Sequence, residues 1–175
     1  MQFNLEHTIE ILMRTPAVLN ALLSGLSSEW TANNEGENTW SPYDVIGHLI
    51  HAERADWIPR LQIILTSGEA QPFPPFDREA MFEESQQKTL EELLREFTEW
   101  RAQNIATLTG LNLTAEDLQK RGTHPAFGAV RLEELLATWV VHDLSHLTQI
   151  SRTMAKQYTE AVGPWEAYLS ILKRS

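Results

Sequence analysis

The 175-residue chain is long enough for one domain with a hydrophobic core, and its 42% hydrophobic and 22% charged residues exclude a disordered or fibrous class. The formal net charge of -10 argues against nucleic acid as a partner, because an acidic surface repels a phosphate backbone. The absence of cysteine excludes disulfides, thiolate metal ligands and a cysteine nucleophile. No apolar run approaches the roughly 20 residues that span a bilayer, and Glu6, His7 and Glu10 stand where a signal peptide would be apolar. We therefore expect a single domain over residues 1–175, located in the cytoplasm, with no membrane partner.

Apolar residues recur every three to four positions along most of the chain, and no segment has the alternating pattern of a β-strand, which predicts an all-α fold. The predicted helices span residues 3–23, 42–66, 87–108 and 132–156. Pro16 should kink or restart the first helix. The second helix begins with Ser41 as its N-cap and Asp44 as the acid of its first turn. Pro59 should bend this helix, and Gly68 suits its C-terminal cap.

The remaining segments are predicted to be connectors and a short terminal helix. Residues 71–76 contain three prolines and are predicted to cross between the halves of a bundle, while residues 110–130 form a long loop with one helical turn near residues 114–120. A short terminal helix begins at Gly163, and we expect its larger side chains to lie against the bundle. Those side chains are Trp165, Tyr168, Leu169 and Ile171. The sequence thus predicts a four-helix bundle with a short C-terminal helix.

Two histidines on the fourth helix are the clearest chemical signal. His142 and His146 lie four residues apart on one helix face, a spacing that lets two imidazoles reach a single metal ion. Two ligands cannot complete a site, so another helix must supply a third, and His48 near the start of the second helix is the natural candidate. The pair could instead be two hydrogen-bonded histidines of the core. The metal interpretation is favoured because one ion satisfies several buried ring nitrogens at once.

Three segments of the chain resemble the DinB-like superfamily, and the last of them is the most specific. They are Thr39-Trp40-Ser41-Pro42 leading to Val45-Ile46-Gly47-His48-Leu49, Thr123-His124-Pro125-Ala126-Phe127-Gly128, and the segment from Leu135 to Ile150. The resemblance implies a four-helix bundle with up-down-down-up connectivity and a metal site at one end. Carried over by position, the ligands are His48, His142 and His146, holding one divalent ion such as zinc, nickel or iron. Similar proteins commonly form homodimers.

The resemblance leaves three functions open. Some similar proteins are bacillithiol- or mycothiol-dependent transferases, so the first is a thiol S-transferase that activates a low-molecular-weight thiol and delivers it to a small electrophile. The second is a metal-dependent hydrolase, with Glu53 or Asp56 as a possible base. The third is a stress-related metal- or ligand-binding protein without turnover. No basic cluster in the sequence marks a site for an anionic thiol.

Several polar residues near the histidines need their own interpretation. His51 is expected to be exposed to solvent, with a place in the pocket or behind a ligand as the alternative. Asp143 is expected to be a surface acid or a partner for a neighbouring helix. His124 should organise the loop around it, with a role in the pocket as the alternative. Gln149 lies one turn beyond His146 and is placed to orient that imidazole, whereas the capping role is preferred for Asp44.

Overall fold

The computed structural model describes residues 1–173 of the chain. Its α-helices are α1 (Leu5–Leu23), α2 (Ser28–Thr31), α3 (Pro42–Ala55), α4 (Trp57–Thr66), α5 (Ala80–Ser85), α6 (Leu90–Gly110), α7 (Ala115–Gln119) and α8 (Leu132–Lys156). Two strands, β1 (Arg121–His124) and β2 (Gly128–Arg131), form an antiparallel hairpin. Short 3-10 helices span Gly68–Ala70, Gly163–Tyr168 and Ser170–Leu172. None of the helices described combines the length and the apolarity needed to cross a membrane.

The bundle has four columns, which pack around two clusters of buried apolar side chains. The columns are α1, the pair α3 and α4, α6, and α8. One cluster joins the end of α1, the start of α3, the start of α6 and the end of α8, with members including Leu19, Leu23, Val45, Ile46, Leu93, Phe97 and Ile150. The other joins the opposite ends, with members including Leu12, Leu61, Ile64, Leu108, Leu132 and Trp139. Helices α1 and α8 therefore run in one direction and α3 and α6 in the other. This is the predicted up-down-down-up four-helix bundle.

Pro16 lies inside the continuous helix α1, so the restart that the sequence offered as one possibility does not occur. Proline has no N–H, so the carbonyl of Leu12, four residues earlier, has no partner within the helix. Arg101 of α6 donates to that carbonyl from Nη1 at 2.8 Å. A hydrogen bond between two helices therefore replaces the one that the proline removes.

The second predicted helix has the bend expected from Pro59. Helix α3 ends at Ala55 and α4 begins at Trp57, so the break falls at Asp56. A proline clashes with the carbonyl four residues before it, which is that of Ala55, and the break lies there. Gly68 follows the end of α4 with a φ of 57°, which confirms its predicted place after the helix end.

The loop predicted over residues 110–130 is more ordered than the sequence indicated. The helical turn is present as α7, but the absence of strands was a wrong prediction, since β1 and β2 form a hairpin. A side chain at Gly122 would lie 2.7 Å from the Phe73 ring, so only glycine lets the hairpin pack this closely on the connector. Phe73 N–H donates to the carbonyl of Thr123 and ties the two segments together. The short helix α5 was also missed.

The C-terminal segment departs from its prediction. It forms 3-10 helices, and Trp165 and Tyr168 are 70% and 83% exposed, so they do not lie against the bundle as expected. Leu169 and Ile171 are also exposed, and Leu172 is the buried residue of this segment. A 3-10 helix repeats every three residues and not every 3.6, so the apolar face assumed for an α-helix is not the face that meets α8.

Candidate metal centre

Three histidines from two antiparallel columns of the bundle meet at one point. His48 lies on α3 and its Nε2 atom is 3.0 Å from Nε2 of His142, which in turn is 3.1 Å from Nε2 of His146 on the next turn of α8. The three ligand atoms all lie within 4.8 Å of one another and could hold a metal ion. The capping box between Ser41 and Asp44 fixes where α3 begins, and His48 follows one turn after Asp44.

Burial keeps these imidazoles in the form that a metal requires. The pKa of His48 is lowered to about 2 and that of His142 to about 3, in both cases mainly because burial disfavours the charged ring. Burial also lowers the pKa of His146, against the raising effects of Gln149 and Asp143. A metal ligand must be a neutral imidazole with a free lone pair, so the donor set fits a divalent ion.

One of the three rings is oriented by a neighbouring side chain. Nδ1 of His146 lies 2.8 Å from Oε1 of Gln149, and a proton donated from Nδ1 leaves the Nε2 lone pair free. This is the contact expected for Gln149 from its position on α8. Nδ1 of His48 and Nδ1 of His142 are buried and have no hydrogen-bond partner within residues 1–173.

Aromatic side chains form the walls around the three imidazoles. Trp40 lies 4.8 Å from the ring of His48 and is stacked at 6.3 Å on that of His146, measured between ring centroids. Trp57 meets His142 edge to face at 5.1 Å, and Phe76 of the proline-rich connector meets His48 at 5.6 Å. These walls limit the access of water from the sides and leave the remaining approach through the cavity.

A cavity of about 620 Å³ lies over the histidines. Its other walls come from α4, from the connector around Phe76 and from the β-hairpin, whose tip carries the exposed Phe127. Asp56 and Arg60, paired with each other, line one side, and Arg78 lines another. Burial raises the pKa of Asp56, while the charge of Arg60 acts in the opposite direction. The volume matches that of a small-molecule site.

A fully buried ionic network lies in the bundle beside the histidines. Arg101 donates to Oε1 of Glu53 at 2.8 Å and to both oxygens of Asp143, at 2.7 and 3.0 Å. Glu53 also accepts from Nε1 of Trp139 on one oxygen and from Nδ2 of Asn104 on the other. Both Glu53 oxygens are therefore occupied, and Glu53 does not line the cavity, so it is not placed to act as the base considered for a hydrolase.

The contacts of the other candidate residues show which of their predicted roles are correct. His51 is 7% exposed, so its predicted solvent exposure was wrong, because Glu84 of α5 lies 3.1 Å from its Nδ1 and covers it. Asp143 pairs with Arg101 of α6, which confirms one of its two predicted roles, that of a partner for a neighbouring helix. His124 accepts from the backbone N–H groups of residues 126 and 127 and stacks on Phe127, which confirms its role in the loop, and it also lines the cavity, which was the alternative.

The ionic network was the part of this region that sequence reasoning missed, although a signal was present. Leu94, Phe97, Arg101, Asn104 and Leu108 follow each other at intervals of three and four residues on α6. Arg101 and Asn104 therefore fall on the same helix face as the core leucines. Polar residues at apolar positions of a helix predict buried partners on the facing helices.

Comparisons with known proteins agree with this architecture. The sequence model of the DinB superfamily matches residues 11–150. Among solved structures, the chain is similar to YfiT from Bacillus subtilis, a probable metal-dependent hydrolase with an unusual four-helix bundle topology. The two chains are 22% identical, the match covers 90% of this chain and 87% of YfiT, and the TM-score is 0.72. No curated protein matches the chain.

Proposed function

The chain belongs to the DinB superfamily, and from this premise we propose that it binds one divalent ion, zinc, nickel or iron, through His48, His142 and His146. We further propose that it uses the ion as a thiol S-transferase acting on a small electrophile. The observation that carries the proposal is the convergence of three neutral Nε2 atoms on the floor of a cavity of about 620 Å³. Three protein ligands leave a position for an exogenous molecule, which is typical of catalytic sites.

An ion held in this way lowers the pKa of a thiol or a water molecule that it binds. The chain contributes the surroundings. Gln149 holds the tautomer of His146, and the aromatic walls from Trp40, Trp57 and Phe76 keep water from the flanks of the site. The neutral imidazoles add no negative charge, so the ion retains its full attraction for an anion.

Two features support a thiol as the exogenous molecule. The chain has no cysteine, so no internal thiol competes for the ion or for the electrophile. The cavity is lined mainly by aromatic and apolar side chains, and Asp56 and Glu134, the carboxylates among its walls, are paired with arginines. A thiol that gives up its proton to solvent is then the nucleophile. Its sulfur bonds to a carbon of the electrophile, and the leaving group departs with the electrons of the bond that breaks.

The proposal predicts a thiol-specific signal in the cobalt-substituted protein. We expect 2-mercaptoethanol to change the visible spectrum at concentrations at which ethylene glycol does not, because only the sulfur compound supplies a thiol. The same protein should accelerate the replacement of chloride by 2-mercaptoethanol on 1-chloro-2,4-dinitrobenzene, and His146→Ala should remove the acceleration. The matched control is His51→Ala, which lies outside the three converging atoms.

A hydrolase is the second candidate, and one observation favours it. Asp56 lines the same cavity as the three histidines, and burial raises its pKa above the ordinary value, which makes its carboxylate a stronger base. The two candidates differ in the cobalt spectrum, because a hydrolase should show a titration near pH 7 that needs no thiol. A thiol-independent titration together with no response to 2-mercaptoethanol would exclude the transferase and favour the hydrolase. If the cobalt spectrum shows neither the thiol response nor the titration, the protein binds a metal ion without turnover.

A further inference from the structure

Four charged side chains line the cavity, and their formal charges sum to zero: those of Asp56, Glu134, Arg60 and Arg78. Asp56 is paired with Arg60, and Glu134 lies 2.8 Å from Arg131, which also pairs with Glu133. Arg78 also lines the cavity, and within residues 1–173 it has no ion pair. Both carboxylates of the lining therefore have an arginine partner, whereas the exposed Arg78 is free to bind a ligand.

The proposed ion would bring positive charge to the cavity. Its three ligands are neutral imidazoles, so a divalent ion would add two positive charges that no carboxylate in the ligand set reduces. The protein as a whole has a formal charge of -10, so the positive charge of such an ion would be confined to the cavity and would not be a property of the surface in general. A site with such a local charge selects for an anionic ligand.

Arg78 is close to the histidines because of the connector that carries it. Phe76, two residues earlier, packs against His48 and His51, with ring centroids 5.6 and 4.9 Å apart. Helix α5 begins two residues later, at Ala80, and packs on α3. The connector is thus fixed on both sides of Arg78. Consistent with this position, the Arg78 charge contributes to the lowered pKa of both His48 and His142.

We propose that the small molecule taken by this cavity carries a carboxylate or a similar oxyanion, which Arg78 binds while a second group of the same molecule reaches the site of the three histidines. The proposal rests on the proposed metal function of that site. A guanidinium matches an oxyanion with two parallel hydrogen bonds, and Arg78 is free to make both. The aromatic walls, including Phe76 and Phe127, would contact the apolar part of the molecule.

The absence of a basic cluster from the sequence does not conflict with this proposal. Arg60 and Arg78 are 18 residues apart in the sequence and show no pattern there, but the bend at Asp56 and the path of the connector bring both to one cavity. Arg60 is held by Asp56 and lies over the Phe73 ring at 5.3 Å. Arg78 is therefore the one that we assign to the ligand.

Two matched probes test the assignment on the cobalt-loaded protein at low ionic strength. Butyrohydroxamate and succinic monohydroxamate have the same chain length and the same metal-binding group, but the second ends in a carboxylate where the first has a methyl group. We expect the wild type to bind succinic monohydroxamate roughly 2- to 5-fold more tightly, which is the scale of one exposed ion pair. Arg78→Gln should abolish this preference and change butyrohydroxamate affinity much less.

The control is Arg95→Gln, which removes the same charge from the exposed face of α6, outside the cavity, and should keep the preference. A preference that survives in Arg78→Gln, or is absent from the wild type while both probes bind, would overturn the assignment of Arg78 and leave the metal proposal intact. If the wild type binds no cobalt, the proposed function fails, and the assignment fails with it.

Discussion

Arg101→Met is expected to lower the free energy of unfolding by about 3 to 5 kcal/mol, because it leaves the buried carboxylates of Glu53 and Asp143 without their common cation. Arg101 is 1% exposed and donates to both of them, so water cannot replace it. It also satisfies the carbonyl of Leu12 that Pro16 leaves free. Methionine fills much of the arginine volume, so the loss of the charge should dominate over the loss of packing. Urea denaturation followed by circular dichroism, on protein stripped of metal, measures the effect.

The control for this substitution is Arg95→Met on the same helix. Arg95 is exposed, so its replacement should change the free energy of unfolding by no more than about 0.5 kcal/mol. Metal-free protein is needed because a bound ion would stabilise the folded state by itself. An equal effect of the two substitutions, or a loss below about 1 kcal/mol for Arg101→Met, would show that the network does not contribute to stability as argued.

His142→Ala is expected to reduce the affinity for a divalent ion by at least about 100-fold, since even residues that only support a ligand cost 10- to 100-fold when they are lost. His142 is chosen because its Nε2 lies nearest to both other ligand atoms, at 3.0 and 3.1 Å. The helices pack around apolar clusters that do not include this residue, so circular dichroism should show nearly unchanged helix content. Competition with a zinc-binding dye measures the affinity.

His51→Ala is the matched control for the metal measurement. It also removes a buried imidazole from the same region, but one that faces Glu84 and not the other histidines. We expect His51→Ala to keep the wild-type affinity within a few-fold. If it loses the ion as completely as His142→Ala does, or if His142→Ala retains stoichiometric binding at wild-type affinity, the ligand assignment is wrong.

The helical part of the fold could be predicted because its signals are local. The N-cap at Ser41, the bend at Pro59 and the extent of α8 follow from caps, proline and spacing, which depend on neighbouring residues only. The hairpin could not be predicted, because each strand has four residues and its register depends on packing of Gly122 against Phe73. The homodimer implied by the family resemblance stays a prediction.

Part of the candidate metal site could be predicted from the sequence. The spacing of His142 and His146 and the family resemblance selected three residues whose Nε2 atoms lie together in the structure. The surroundings of the site could not be predicted, because Arg78, Trp57 and Phe76 come from separate segments that converge only through the tertiary fold. The burial of His51 had the same cause, since the covering helix α5 was not predicted.

The most direct test of the central claim is a crystal structure of the tag-free, zinc-loaded protein with anomalous diffraction recorded on both sides of the zinc absorption edge. We predict one zinc peak per chain, about 2.0 to 2.1 Å from Nε2 of His48, of His142 and of His146, with no fourth protein ligand. A fully loaded protein whose zinc peak lies elsewhere, or whose zinc has a fourth side chain as ligand, would contradict this account.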